Sequence, residues 1–117
     1  MRYINKNLTI EKVNTQNIAK IFGTPTYCYS YNLLKKNIQN FKKNFNSISP
    51  LICFAIKSNT NLNLIKEIKN FGLGADVVSM GELMLALKAG ISPKKLFFQV
   101  LEKHQKKSIL QLIRRYY

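Results

Sequence analysis

Lys57 is the residue best placed to do chemistry in this chain. It follows the apolar run Pro50-Leu51-Ile52-Cys53-Phe54-Ala55-Ile56 without a polar break, and a helical pattern begins almost at once after it. An amine at the carboxyl end of a buried strand, at a strand-to-helix turn, lies where ligand chemistry concentrates in parallel α/β proteins. Partial desolvation at such a rim favours the neutral amine, the form that condenses with a carbonyl. Ala55 stands two residues earlier, on the same strand face by the period-two rule, and its small side chain leaves room for a planar ring. Glu82 follows Ser79 in the Ser-x-x-Glu relation of a capping box, which points to structure and not to chemistry. Cys28 and Cys53 fall inside apparent strands and read as small core residues. His104, the only histidine, lies in a basic tail and reads as exposed.

The elements that must position Lys57 follow from periodicity and punctuation. A strand candidate covers Leu8 to Ile10, and Ile18, Ile21 and Phe22 mark a helix over 15–22 that ends at Gly23 and Pro25. Thr26 to Ser30 reads as a short aromatic strand. Leu33, Leu34, Ile38, Phe41 and Phe45 then recur at helical spacing, giving an amphipathic helix with a basic outer face. Ser49 to Lys57 reads as a strand buried on both faces, since nothing in it alternates. A helix from about Asn61 to Phe71 turns Leu62, Leu64, Ile65, Ile68 and Phe71 inward and stops at Gly72. A third strand, "GADVV", precedes a helix from Ser79 to Gly90, and a fourth enters at Leu96 after a turn at Pro93. Repeated β-α units with short connections imply a parallel sheet with right-handed crossovers. The expected class is α/β, a partial (β/α)8 TIM-type barrel of three to four β-α units. Residues 1–23 would form an amino-terminal segment, 24–98 the barrel part and 99–117 a tail.

At 117 residues and 46% apolar content, the chain suffices for one small hydrophobic core. No apolar run reaches membrane length, and the first residues lack the apolar core of an export signal. Two thiols without such a signal suggest reduced residues in the cytoplasm. The net charge of +14 raises nucleic acid as a partner. Its lysines, however, are spread over every predicted helix with no arginine-rich stripe. Lys, Asn and Ile are all encoded by A/T-rich codons, so base composition accounts for the charge. No specific nucleic acid, membrane or metal partner is expected.

"FAIKSNTNLNLIKEIKNFG" followed by "GADVVSMGEL" resembles the amino-terminal half of the barrel in the pyridoxal-phosphate decarboxylases acting on diaminopimelate, ornithine and arginine, the diaminopimelate branch above all. The likeness runs from "GTPTYCYS" through "LKAGISPKKLFF", roughly residues 20–98. The glycine- and histidine-containing segment that follows the lysine in the related alanine racemases is missing from "SNTNLN". The resemblance implies that Lys57 carries pyridoxal 5'-phosphate covalently and that Asp76 sits at the barrel mouth near the lysine and cofactor; read from its residues alone, Asp76 serves equally as a carboxylate that stabilises a neighbouring helix terminus or pairs with a surface lysine. It also implies a small amino-acid substrate, a role in lysine biosynthesis and a homodimer for the full-length protein. The family's ring-stacking histidine occurs later and in a different context, so that role does not pass to His104. Its phosphate-binding glycine loop, its acid for the pyridine nitrogen and its second β-domain have no counterpart in these residues. The expectation is therefore an amino-terminal fragment, inactive alone. The alternatives are a fragment of an ornithine- or arginine-type decarboxylase, or a basic nucleic-acid-binding module.

The resemblance fails from Gln99 onward, and codon degeneracy offers a reason. Restoring one T to the run encoding Phe97 and Phe98 lets the following codons read Ser-Gly-Val-Gly-Lys, like the family's continuation. Residues 99–117 would then be an out-of-frame translation. Resequencing the locus should reveal the remainder of a barrel in the shifted frame; downstream DNA encoding none would end this account.

Overall fold

The computed structural model describes residues 1–45 and 47–98, together with Gln111 and Arg114. The tail at 99–117, including His104, otherwise lies outside the described residues. The chain divides into two compact units, Met1–Ser47 and Ile48–Tyr117.

The first unit opens with an antiparallel meander of β1 (Arg2–Ile4), β2 (Asn7–Ile10) and β3 (Val13–Asn14), in that order. Asn5 and Lys6 form a two-residue hairpin turn with φ of 47° and 63°, the left-handed pair that matches strand twist. Thr9 is buried at the centre, and its hydroxyl donates to the Arg2 carbonyl at 2.9 Å. Helix α1 (Thr15–Phe22) starts at Asn14, whose side chain accepts from the Gln16 amide, and ends at Gly23 with φ of 79°. Helix α2 (Tyr31–Lys43) starts at Ser30, whose hydroxyl accepts from the Leu33 amide. Both helices occupy the places their caps and periodicity predict. Burial does not follow the pattern as closely. On α2 only Ile38 is buried, whereas Leu33 and Phe41 are exposed.

Two expectations fail in this unit. Residues 26–30 belong to neither sheet, so "TYCYS" is no strand. Its aromatic and β-branched residues give strand propensity, but a strand exists only where another backbone pairs with it. Cys28 is accordingly exposed and not a core residue.

The second unit holds a parallel sheet of β4 (Cys53–Ala55), β5 (Gly74–Val77) and β6 (Leu96–Phe98), in that order. Helix α3 (Leu62–Asn70) joins β4 to β5, and α4 (Met80–Lys88) joins β5 to β6. The βαβαβ alternation anticipated from sequence is present. The core combines Ala75 and Val77 of β5 with Ile56, Ile65, Leu83, Ala86, Ala89 and Ile91. Strand alternation therefore turns Gly74 and Asp76 to the opposite face. The parallel register places Cys53 opposite Gly74, and Asp76 opposite both Ala55 and Phe97.

β4 differs from its expectation in length and burial. It spans three residues instead of Ser49 to Lys57, and all three are half-buried, not enclosed on both faces. The strand stops because Ile56–Ser58 winds into a 3-10 turn. That turn is held by the Asn59 amide, which donates to the Ile56 carbonyl at 2.9 Å, and by the Ser58 hydroxyl, which donates to the Ala55 carbonyl at 2.7 Å.

Candidate active site

Lys57 lies in this turn, directly beyond the carboxyl end of β4, and its side chain is exposed. The partial desolvation expected from sequence is thus not found in this chain. The same-face relation of Ala55 and Lys57 also lapses, because period-two alternation ends where the 3-10 turn begins. The segment after Lys57 is set by asparagines. Asn59 Oδ1 accepts from the Asn61 amide at 2.9 Å, and Asn61 Oδ1 accepts from the amides of Asn63 and Leu64 at 2.9 and 3.3 Å. Asn61 is the N-cap of α3. Neither asparagine stood out as a positioning residue, although Asn ahead of a periodic apolar run is the ordinary signature of a cap.

Asp76 and Ala55 face each other across β4 and β5, so the register brings together two of the three candidate residues. Asp76 is half-buried, and its Oδ1 is buried without a hydrogen-bond partner. A carboxylate oxygen in that state is costly unless a donor reaches it. Gly74 lets neighbouring groups close in on the same face. A Cβ there would overlap the Lys95 carbonyl oxygen and come within 2.9 Å of Cys53 Sγ.

Cys53 is a neighbour that sequence reasoning assigned to the core. It is half-buried, and its thiol is pushed above the ordinary range by burial first and by the Asp76 charge second. The thiolate is the reactive form. Alkylation at pH 8 should therefore be slower at Cys53 than at exposed Cys28, and Asp76→Asn should narrow the gap. Equal rates at both thiols, by mass spectrometry, would refute this. The linkage has a definite sign. A thiol raised in the folded state adds stability below its unfolded pKa, and that stability is lost as pH rises through the folded value.

Glu82 is structural, as its spacing suggested, but its partner is shifted by one residue. Ser79 Oγ accepts from the Glu82 amide at 3.2 Å, while Glu82 Oε2 accepts from the Val78 amide at 2.9 Å instead of the Ser79 amide of a standard box. The pair fixes the corner between β5 and α4. Ser79→Ala should cost about 1 kcal/mol, read as a lower urea midpoint; an unchanged midpoint would show that the cap is dispensable.

The residues around Lys57 fit a pyridoxal cofactor in part. An exposed amine, a small residue at Ala55 and an unpaired Asp76 oxygen supply a nucleophile, room and an acceptor, whereas the space beside Gly74 is already filled by Lys95 and Cys53. Hollows of about 450 and 460 Å³ occur in the first unit, and none of Lys57, Ala55 or Asp76 lines them. Among the described residues no helix is long and apolar enough to cross a membrane.

The chain resembles proteins of known activity. A diaminopimelate decarboxylase of Aquifex aeolicus is 42% identical over 106 residues, covering 91% of this chain and 25% of that protein. The crystal structure of diaminopimelate decarboxylase from Helicobacter pylori complexed with L-lysine matches with a TM-score of 0.77 at 33% identity, over 86% of this chain and 26% of that one. The enzyme of the same name from M. jannaschii, also in complex with L-lysine, matches with a TM-score of 0.80 at 29% identity, over 96% of this chain and 27% of that one. The chain thus spans about a quarter of the length of these relatives. The model of the pyridoxal-dependent decarboxylases, in their pyridoxal-binding domain, matches residues 31–114, and the chain belongs to that family.

Proposed function

We propose that these residues are the amino-terminal part of the barrel of a decarboxylase acting on diaminopimelate, with Lys57 as the residue that bonds the cofactor. The observation that carries this reading is the position of Lys57: an exposed amine just past a parallel strand, in a chain of the pyridoxal-binding family. The relatives described above favour the diaminopimelate branch over an ornithine- or arginine-type enzyme and over a nucleic-acid-binding module.

In this proposal β4, β5 and β6 are consecutive strands of a TIM-type barrel, and the face carrying Ala55, Gly74 and Asp76 is its interior. Pyridoxal phosphate, when bound, supplies an electron sink for the pair left behind as carbon dioxide departs. The chain's own part is narrower. Lys57 Nζ provides the nucleophilic amine and exchanges protons there; Asp76 Oδ1 offers an acceptor; Asn59 and Asn61 hold the backbone that aims the lysine. The complete protein would act on a small amino acid in lysine biosynthesis, in the cytoplasm and as a homodimer. Residues 1–117 alone are not expected to turn over, because catalysis needs the cofactor's phosphate, ring and substrate positioned together.

The test is incubation with pyridoxal phosphate, borohydride trapping and peptide mapping. Labelling concentrated at Lys57 supports the proposal, and labelling spread evenly over the surface lysines overturns it. A salt titration against DNA and RNA tests the nucleic-acid alternative, which requires a steep loss of binding. The out-of-frame origin of 99–117 is a separate proposal. The family match extends to residue 114, and resequencing decides between a shifted frame and a divergent barrel segment.

A further inference from the structure

Glu11 occupies the two-residue turn between β2 and β3 with φ of 58°, a left-handed conformation that a long side chain rarely adopts. That backbone presents its carboxylate to the start of α2. Oε1 accepts from the Ser30 hydroxyl and from the Asn32 amide, both at 2.7 Å, and Oε2 accepts from Asn32 Nδ2 at 2.9 Å. Three donors thus converge on one carboxylate across about twenty positions of sequence. All three belong to the cap and first turn of α2, where the unpaired amides and the helix dipole favour a negative charge.

We propose that Glu11 is an ionic latch joining the amino-terminal meander to helix α2, so that the β2–β3 turn and the first turn of α2 order and release together. The chemistry of the carboxylate makes the latch depend on its charge. Three of the carboxylate's four lone-pair sites already accept donors, and protonation turns these charge-assisted bonds into weaker ones to a neutral carboxyl. The Ser30 oxygen also accepts from the Leu33 amide at 3.1 Å, so the same hydroxyl joins the helix cap to the carboxylate. The surroundings favour the ionised form. The Asn32 amide and the Ser30 hydroxyl hold the carboxyl below its ordinary range; desolvation opposes them, and the Asn32 side chain and the chain's amino terminus add smaller help. Arg2 and Lys12 share a hollow with Glu11, Ser30 and Asn32, and among the described residues no other carboxylate lines it. On the helix side Tyr31 adjoins the site, and the next charges are Lys35 and Lys36.

A carboxyl depressed in the folded state contributes stability above its unfolded pKa and loses it as pH falls through the folded value. The latch is therefore closed at neutral pH and opens in acid. Hydrogen exchange on the 117-residue chain, expressed as protection factors, tests it together with an NMR titration of the Glu11 carboxyl carbon. In Glu11→Gln at neutral pH, protection of the Asn32 amide and of the β2–β3 hairpin amides should fall together, by about tenfold, the scale of losing a charge-assisted bond. In the unaltered chain both regions should lose protection on acidification at the midpoint where Glu11 titrates, and Glu11→Gln should lack that step. Loss confined to one region, unchanged protection in Glu11→Gln, or an acid step that survives in Glu11→Gln would overturn the latch. If the variant does not fold, the unaltered chain still decides, because an amide midpoint different from that of the Glu11 carboxyl also overturns it.

Discussion

Replacing Lys57 with alanine should remove site-specific capture of pyridoxal phosphate, cutting borohydride-trapped label at this position to background while the other lysines keep their low, even labelling. Placement distinguishes Lys57 from the other lysines. The aldehyde condenses with any neutral amine, so the many lysines of a +14 chain compete for it. Lys57 differs in being held at the end of β4 by a 3-10 turn, with Asn59 and Asn61 fixing the backbone beyond it. Positioning of this kind raises effective concentration by orders of magnitude when complete. Even a partial share should make label at Lys57 at least about tenfold heavier than at an average surface lysine. Lys57→Arg should fail as fully as Lys57→Ala, because a guanidinium keeps its charge but forms no imine under these conditions. Asp76→Asn should weaken capture less, since it removes a charge from β5, opposite Ala55, and leaves the nucleophile. Lys95 is a useful control, because its ammonium donates to the Gly72 carbonyl at 3.0 Å and is engaged elsewhere. Label on Lys95 equal to that on Lys57 would mean that proximity to the β4 terminus confers nothing.

Gly74→Ala should destabilise the second unit by about 3 kcal/mol, whereas Gly81→Ala should be neutral or stabilise it by up to about 1 kcal/mol. The two substitutions add the same methyl group, and only the surroundings differ. At Gly74 the new Cβ would overlap the backbone oxygen of Lys95, next to β6, and press on Cys53 Sγ in β4. A backbone oxygen cannot swing aside as a side-chain tip can, so β5 must shift from one of its two partners. At Gly81, in the first turn of α4, no described atom beyond the residue's chain neighbours and its own helix backbone lies within 4 Å of the added Cβ. The gain there is lower chain entropy in the unfolded state and better helix propensity. Urea titration of the two variants reads the contrast directly. Equal midpoints would show that β4 and β6 do not grip β5 as the register indicates.

Local sequence by itself determined the helices and the turns that end them. Helix α1 covers Thr15–Phe22 as its apolar spacing and Gly23 predict, and α3 and α4 begin at side-chain caps and stop near glycines. These features depend on residues within a turn or two of one another, so the chain states them without knowing its fold. The placement of Lys57 just after a short apolar strand was legible for the same reason. Tertiary structure alone decided the rest. Residues 26–30 have the composition of a strand and no partner, whereas Cys53–Ala55 is a strand because Gly74–Val77 pairs with it. The extent of β4 came out shorter than its apolar run, because pairing and a following turn set where a strand ends, and hydrophobicity does not. Cys28 and Cys53 are equally apolar as residue types, yet one is exposed and the other half-buried beside Asp76. The juxtaposition of Ala55 with Asp76 spans twenty-one positions, and that of Glu11 with Asn32 spans the same. Such pairs arise from register and close packing, which depend on where distant backbones meet, and no local spacing records that.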